Sequence, residues 1–97
     1  MILNQIANDY FERMITLGMK EPKSKALIEK IKQASSPNEP IIYVTPNGST
    51  KFTVVMLETN KEKLIGIAKR CTYKKKEDRF KYAVGICIAA SRLFPPE

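Results

Sequence analysis

The sequence has neither histidine nor tryptophan, and only two cysteines. Without histidine, general acid–base catalysis near neutral pH would need a carboxylate, lysine, tyrosine or cysteine whose pKa is shifted. Glu77 and Asp78 are the only notable acidic pair, and adjacent acids suit a helix N-terminus. Cys71 and Cys87 are too far apart to form a zinc site without histidine. The sequence therefore predicts a protein that is not an enzyme and carries neither a metal nor another cofactor.

Long apolar runs and nucleotide-binding signatures are also missing. No stretch approaches the roughly 18 to 20 apolar residues of a membrane span, and no P-loop, GxGxxG or EF-hand pattern occurs. In the N-terminal segment MILNQIANDYFER, polar residues occur from position 4 onwards, so the apolar stretch of a signal peptide is not present. We therefore expect a cytoplasmic protein with no membrane partner and with reduced thiols.

Ninety-seven residues, 43% of them hydrophobic, are sufficient for one core. The sequence predicts a single domain spanning residues 1–97. Because a compact monomer of this size buries a limited fraction of its surface, we expect self-association into a homo-oligomer.

Apolar periodicity predicts two N-terminal helices. From Leu3 to Leu17 apolar residues recur at helical spacing, so a first helix is expected there, ending at Gly18 and packing in the core or against a second copy. Pro22 opens a second helix that runs to about Gln33.

Three strands and a last helix follow. The segments IIYVT (41–45), FTVVML (52–57) and LIGIAKRC (64–71) are typical of strands, with a hairpin turn at Asn47-Gly48. Gly66 suggests a bulge or a close backbone approach. Asp78 is a good N-cap for a helix running to about Leu93, with Phe80 expected in the core. The fold class is α+β, a three-stranded antiparallel meander in the order ααβββα.

Charge is concentrated in one segment. Residues 61–81 carry nine basic and three acidic residues, a net +6 in a chain of net +7. Such a field attracts anions, although it is also compatible with a solvated loop that confers solubility. A strand end, a loop and a helix N-terminus meet here, a combination suited to phosphate, with tyrosine rings for base stacking. The predicted anion-binding or nucleotide-binding residues are Lys69, Arg70, Tyr73, Lys74, Lys75, Lys76, Arg79, Lys81 and Tyr82.

Three kinds of partner fit this segment. A small nucleotide would bind in a discrete pocket. A nucleic acid would be held by sequence-independent phosphate contacts. An acidic face of a host protein would meet the basic surface by charge complementarity.

The C-terminal half, from Phe52 to Leu93, resembles a group of small phage-encoded accessory proteins. The matching elements are FTVVML, IGIAKRC, Asp78 with Phe80, and Gly85 followed by ICIAASRL with Ala89. Two features depart from that pattern: ETNKEK replaces an Asp-Gly turn, and KKK replaces an acidic loop before Asp78.

The resemblance implies a function. Phage accessory proteins of this general architecture include the sponges that counter Thoeris and CBASS immunity by binding cyclic nucleotide signals without chemistry. The expectation is therefore a phage-type counter-defence protein that sequesters an anionic nucleotide in the host cytoplasm.

Overall fold

The computed structural model describes residues 2–48, 51–69 and 78–94. Within them the chain forms three helices and a four-stranded antiparallel sheet, an α+β arrangement. The elements are β1 (Asn4–Ile6), α1 (Asn8–Gly18), α2 (Lys23–Ser35), β2 (Ile41–Val44), β3 (Phe52–Glu58), β4 (Lys63–Lys69) and α3 (Arg79–Ser91). No helix of these described residues is long and apolar enough to cross a membrane.

The expected order ααβββα is wrong at the N-terminus. Residues 4–6, placed by periodicity in the first helix, form the short strand β1, which pairs antiparallel with β2. Asn4 pairs with Val44, and Ile6 with Ile42. Without β1, β2 would be an edge strand with unpaired backbone groups. The pairing also gives residues 4–6 hydrogen-bond partners in the protein, whereas the first N–H groups of a helix starting there would be bonded only to water. The helix starts only after Ala7, whose backbone is extended.

The remaining strands form the expected meander. The sheet order β1-β2-β3-β4 follows the chain, and every neighbouring pair is antiparallel. Gly48 in the β2–β3 connection has a φ of 88°, a left-handed conformation that glycine adopts without steric cost. The antiparallel pairing of β2 with β3 confirms the expected hairpin, while residues 49–50, on which its register centres the turn, lie outside the described residues.

The helices cover one face of the sheet. α3 packs on β3 and β4, α1 packs on α3 and β2, and α2 packs on α1 and contributes Leu27 and Ile31 to the core. One hydrophobic cluster joins them. Its largest buried side chains are Phe11, Met14, Ile15, Ile42, Leu57 and Ile86.

Gly66 is where α3 comes closest to the sheet. A Cβ placed on Gly66 would lie 1.8 Å from the carbonyl oxygen of Ala89, which no side chain could tolerate. The register runs through Gly66 opposite Val55 without interruption. Of the two expectations for this glycine, the close backbone approach is confirmed and the bulge is not.

Candidate functional site

The start of α3 is fixed by its cap. Asp78 has an extended backbone, and its Oδ1 accepts a hydrogen bond of 2.8 Å from the backbone N–H of Lys81. The predicted N-cap is therefore confirmed. The carboxylate satisfies one of the free N–H groups of the first turn and holds Arg79 and Lys81 in helical geometry.

α3 runs along β4 in the opposite direction. Gly85 faces Thr53, whose strand partner is Ala68, and one turn later Ala89 faces Gly66. The N-terminus of α3 therefore lies at the end of the sheet where β4 finishes with Lys69. Three predicted binding residues, Lys69, Arg79 and Lys81, are exposed at this end.

An open groove separates the start of α3 from α1. It has a volume of about 720 Å³. Its lining residues come from two turns of α1 and the first turn of α3: Glu12, Arg13, Thr16, Leu17, Arg79 and Phe80. Two guanidinium groups and an exposed aromatic ring thus border a single depression, which we call the α1–α3 groove.

The charged side chains of the α1–α3 groove form only weak, solvent-exposed ion pairs. Arg13 lies 3.9 Å from Asp9, with side chains 67% and 82% exposed, so this ion pair contributes little and leaves the guanidinium able to turn. Glu12 lies 3.8 Å from Lys32 of α2. Since Glu12 is partly neutralised by Lys32, Arg13 and Arg79 give the groove a positive balance.

Phe80 is not in the core, contrary to expectation. Its side chain is 57% exposed and forms one wall of the groove beside Leu17, which is also exposed. Its helix neighbour Ala83, small and fully buried, is the residue that packs toward α1 near Gly18. Gly18 and Ala83 bring the two helix backbones so close that no room is left for a ring.

Tyr82 ties α3 to the sheet. Its hydroxyl donates a hydrogen bond to the carbonyl oxygen of Thr45, just after β2, and its half-buried ring packs against the core. This contact fixes the first turns of α3 over the end of the sheet. The role of Tyr82 as a face for base stacking stays a prediction.

The other predicted binding residues lie outside the described residues. They are Arg70, Tyr73, Lys74, Lys75 and Lys76, and Cys71 lies outside them as well. Their assignment rests on the charge of the sequence.

Arg13 is the groove residue that the sequence did not predict. It lies 66 positions before Arg79, on a helix whose exposed face carries charges of both signs. Nothing in its local pattern distinguishes it from a solvated arginine. Only the packing of α1 against α3 brings it to the same depression.

Cys87 is the described thiol, and it is inert. It is 2% exposed, and its Sγ donates to the carbonyl oxygen of Ile15 at 3.4 Å. Burial raises the pKa of Cys87 to about 11, so the thiolate needed for nucleophilic attack does not form near neutral pH. Cys87 packs as a small apolar residue.

A second, smaller cavity lies on the far side of α1. It has a volume of about 280 Å³ between α1, α2 and the segment before β2, with Phe11, Ile31 and Ile42 at its floor. Within the described ranges no group of three or more acidic or cysteine side chains is arranged to hold a metal ion.

Comparison with known proteins adds no relative. No protein-family model matches the chain, and neither a curated protein nor a solved structure is similar enough to count as a match. The function therefore has to be inferred from the groove and the charge around it.

Proposed function

We propose that this protein is a non-enzymatic binding protein that holds an anionic nucleotide in the α1–α3 groove and removes it from solution. The observation that carries the proposal is that Arg13, Arg79 and the exposed ring of Phe80 line one depression. Paired guanidinium groups suit a phosphate, since each can donate two parallel hydrogen bonds to its oxygens. An exposed aromatic ring offers a base a face for stacking.

The surroundings of the groove support an anionic ligand. Lys69 and Lys81 are exposed at the same end of the molecule and add to its positive potential. Glu12 is the one carboxylate among the residues that line the groove, and Lys32 lies 3.8 Å from it. Such a site favours binding over acid–base chemistry, which is why we propose sequestration without turnover. The resemblance of residues 52–93 to phage accessory proteins supplies the proposed setting, a host cytoplasm.

The first experiment is a thermal-shift panel. It would contain cyclic di- and trinucleotides, cyclic ADP-ribose isomers, and short DNA and RNA. One small nucleotide that raises the melting temperature by several degrees identifies the ligand, since ligands that bind only the native state stabilise it.

Arginine variants then test the site. Arg13→Ala and Arg79→Ala should each weaken binding of that nucleotide by roughly tenfold or more, because a charged hydrogen bond is worth about 1.5–3 kcal/mol. Lys61→Ala is the matched control. Lys61 belongs to the same basic segment but lies in the β3–β4 connection, at the opposite end of the sheet. Unchanged affinity in the double arginine variant would refute the site, and Arg70→Ala would then test the remaining arginine.

Sequence-independent binding of nucleic acid is the second candidate function. The groove is open, and Lys69 and Lys81 are exposed at the same end of the molecule, so a phosphate backbone could pass along this end. A binder of this kind loses roughly a thousandfold in affinity between low and physiological salt if it contacts about six phosphates. Titration of a short oligonucleotide at several salt concentrations separates it from a nucleotide pocket. Absence of binding to every nucleotide and polymer would instead favour an acidic protein partner.

A further inference from the structure

The cavity on the far side of α1 has an apolar floor and a polar rim. It lies between α1, α2 and the segment that precedes β2, and its volume is about 280 Å³. Phe11, Ile31 and Ile42 form the floor, and each is at most 2% exposed. A ligand that reaches these side chains therefore meets a surface that the packing of the core already fixes. We call this space the α1–α2 cavity.

The wall formed by the segment before β2 is held in place. The backbone N–H of Asn38 donates a hydrogen bond of 3.0 Å to the carbonyl oxygen of Ser35, the last residue of α2. Ser35 is itself buried, and its Oγ donates to the carbonyl oxygen of Ile31. Pro40 lines the cavity and directly precedes β2, whose start is fixed by pairing with β1 and β3. The α1–α2 cavity is therefore preformed, as is usual for small-molecule sites.

The side chains that line the α1–α2 cavity are acidic on balance, although the whole chain carries +7. Two acids, Glu12 and Glu39, and one base, Lys32, belong to the lining. Glu12 lies 3.8 Å from Lys32, so these two charges offset each other. Glu39 has no ion-pair partner among the described residues. Asn8 and Asn38 add amide oxygens that can accept hydrogen bonds.

The α1–α2 cavity lies away from the basic end of the molecule. It lies beside the start of β2, whereas Tyr82 holds α3 at Thr45, just after the end of β2. An extended chain of roughly 17 Å separates Pro40 from Thr45. Charges more than about 8 Å apart are largely screened at physiological ionic strength. The basic residues near the start of α3 therefore do little to repel a cation from this cavity.

We propose that the α1–α2 cavity binds a small organic cation, a primary amine whose apolar body has the size of a benzene ring with a short chain. An apolar cavity of about 150 Å³ accommodates benzene, so 280 Å³ has room for the ring and the chain. The apolar body packs on Phe11, Ile31 and Ile42, and the carboxylate of Glu39 accepts hydrogen bonds from the ammonium group. This inference does not depend on the proposed function, because the ligand has the opposite charge and a different site.

NMR titration of the isotope-labelled protein tests the proposal. The probes are phenethylamine, the neutral phenethyl alcohol and the anion phenylacetate, which share a ring and differ in charge. Phenethylamine should shift the backbone amide signals of Phe11, Asn38 and Ile42 in a saturable way, with a Kd on the order of 0.1–1 mM for a ligand of this size. Phenethyl alcohol should bind about tenfold more weakly, since hydrogen bonds between charged groups are stronger than neutral ones. Phenylacetate should not saturate.

A carboxylate variant tests the recognition of charge. Glu39→Gln should weaken phenethylamine binding about tenfold and leave phenethyl alcohol binding unchanged, because the substitution removes only the charge. Glu29→Gln is the matched control, since Glu29 is an exposed acid of α2 that does not line the cavity. Both positions are exposed, so neither change should alter the melting temperature. The double variant Arg13→Ala, Arg79→Ala should also leave amine binding unchanged, which separates this site from the α1–α3 groove.

Three results would overturn the proposal. They are the absence of saturable shifts at tens of millimolar phenethylamine, equally tight binding of phenylacetate, and unchanged amine affinity in Glu39→Gln. A short peptide with an N-terminal phenylalanine presents the same ring and ammonium group. If this peptide binds more tightly than phenethylamine, the cavity takes a chain terminus of another protein, and its assignment to a small amine is wrong.

Discussion

At the residue scale, Gly66 sets how closely α3 packs on the sheet. Its missing side chain admits the carbonyl oxygen of Ala89 to a position that a Cβ would occupy. Gly85 has a different role, since a Cβ there would meet only the Thr53 side chain, at 3.1 Å. A side chain can shift by a few tenths of an ångström more easily than a backbone carbonyl inside a helix.

The two glycines should therefore respond differently to alanine. Gly66→Ala should lower the free energy of unfolding by about 3 kcal/mol, because it overpacks a rigid contact. Gly85→Ala should stay within about 1 kcal/mol of wild type, since the gain in helix propensity offsets the crowding of Thr53. Urea denaturation of both variants measures the difference. Equal losses would mean that α3 can move away from β4.

Cys87 predicts a stability loss at high pH. The folded thiol has a pKa of about 11 and the reference value is 9.0, so the unfolded chain loses its proton first. The neutral thiol's contribution is complete below about pH 9 and disappears as the pH rises through 11. Two pKa units correspond to about 2.7 kcal/mol. The difference in unfolding free energy between wild type and Cys87→Ala should shrink by an amount of this order across that range. If this difference in unfolding free energy does not change with pH, burial does not raise the pKa of the Cys87 thiol in the folded protein.

At the element scale, the sequence predicted the bounds of helices and strands better than it predicted which side of each element is buried. β2, β3, β4 and α2 fall within about two residues of expectation because turn residues and β-branched runs mark them clearly. α3 is apolar on most sides, so helical periodicity does not identify its buried stripe. Phe80 was expected in the core, whereas Ile86 and Leu93 are buried instead.

β1 could not be recognised from the sequence alone. Leu3 and Ile6 are spaced as in a helix, and the segment is too short for alternation to contradict that spacing. What decides its conformation is the free edge of β2, some forty residues away in the chain. A tertiary partner outweighs local propensity here.

The cap of α3 gives a prediction for this element. Asp78→Ala should lower the free energy of unfolding by about 1 kcal/mol, because an N–H of the first turn loses its acceptor. Asp78→Asn is the control, since its amide oxygen can still accept from the N–H of Lys81. Thermal denaturation compares the two. If both variants lose stability equally, the carboxylate charge matters more than the hydrogen bond.

At the scale of the whole molecule, charge is separated along the sheet. The end with Lys69, Arg79 and Lys81 is strongly basic, whereas Lys61 and Lys63 at the other end lie near Glu58 and Glu62 in the chain. The sequence predicted the basic end but not the α1–α3 groove, since Arg13 joins Arg79 only through helix packing. Non-local contacts of this kind leave no local signature.

Repulsion at the basic end should be measurable. Lys69→Gln should raise the melting temperature by about 1–3 °C at low salt, because surface charge interactions are worth a few tenths of a kcal/mol. The gain should vanish at high salt, where exposed charges are screened. Lys61→Gln, with acidic residues nearby, should show no such gain. A salt-independent effect of Lys69→Gln would point to strand propensity as its cause.

Because β1 pairs with β2, the first element to be synthesised is not the first that can reach its folded state. β1 precedes both N-terminal helices, yet its hydrogen-bonding partners are residues 42–44. On the ribosome, the segments of α1 and α2 can therefore become helical while the backbone N–H and C=O groups of β1 are still hydrogen-bonded to water. The hydrogen bonds that join β1 to the sheet can form only after β2 has emerged from the ribosome.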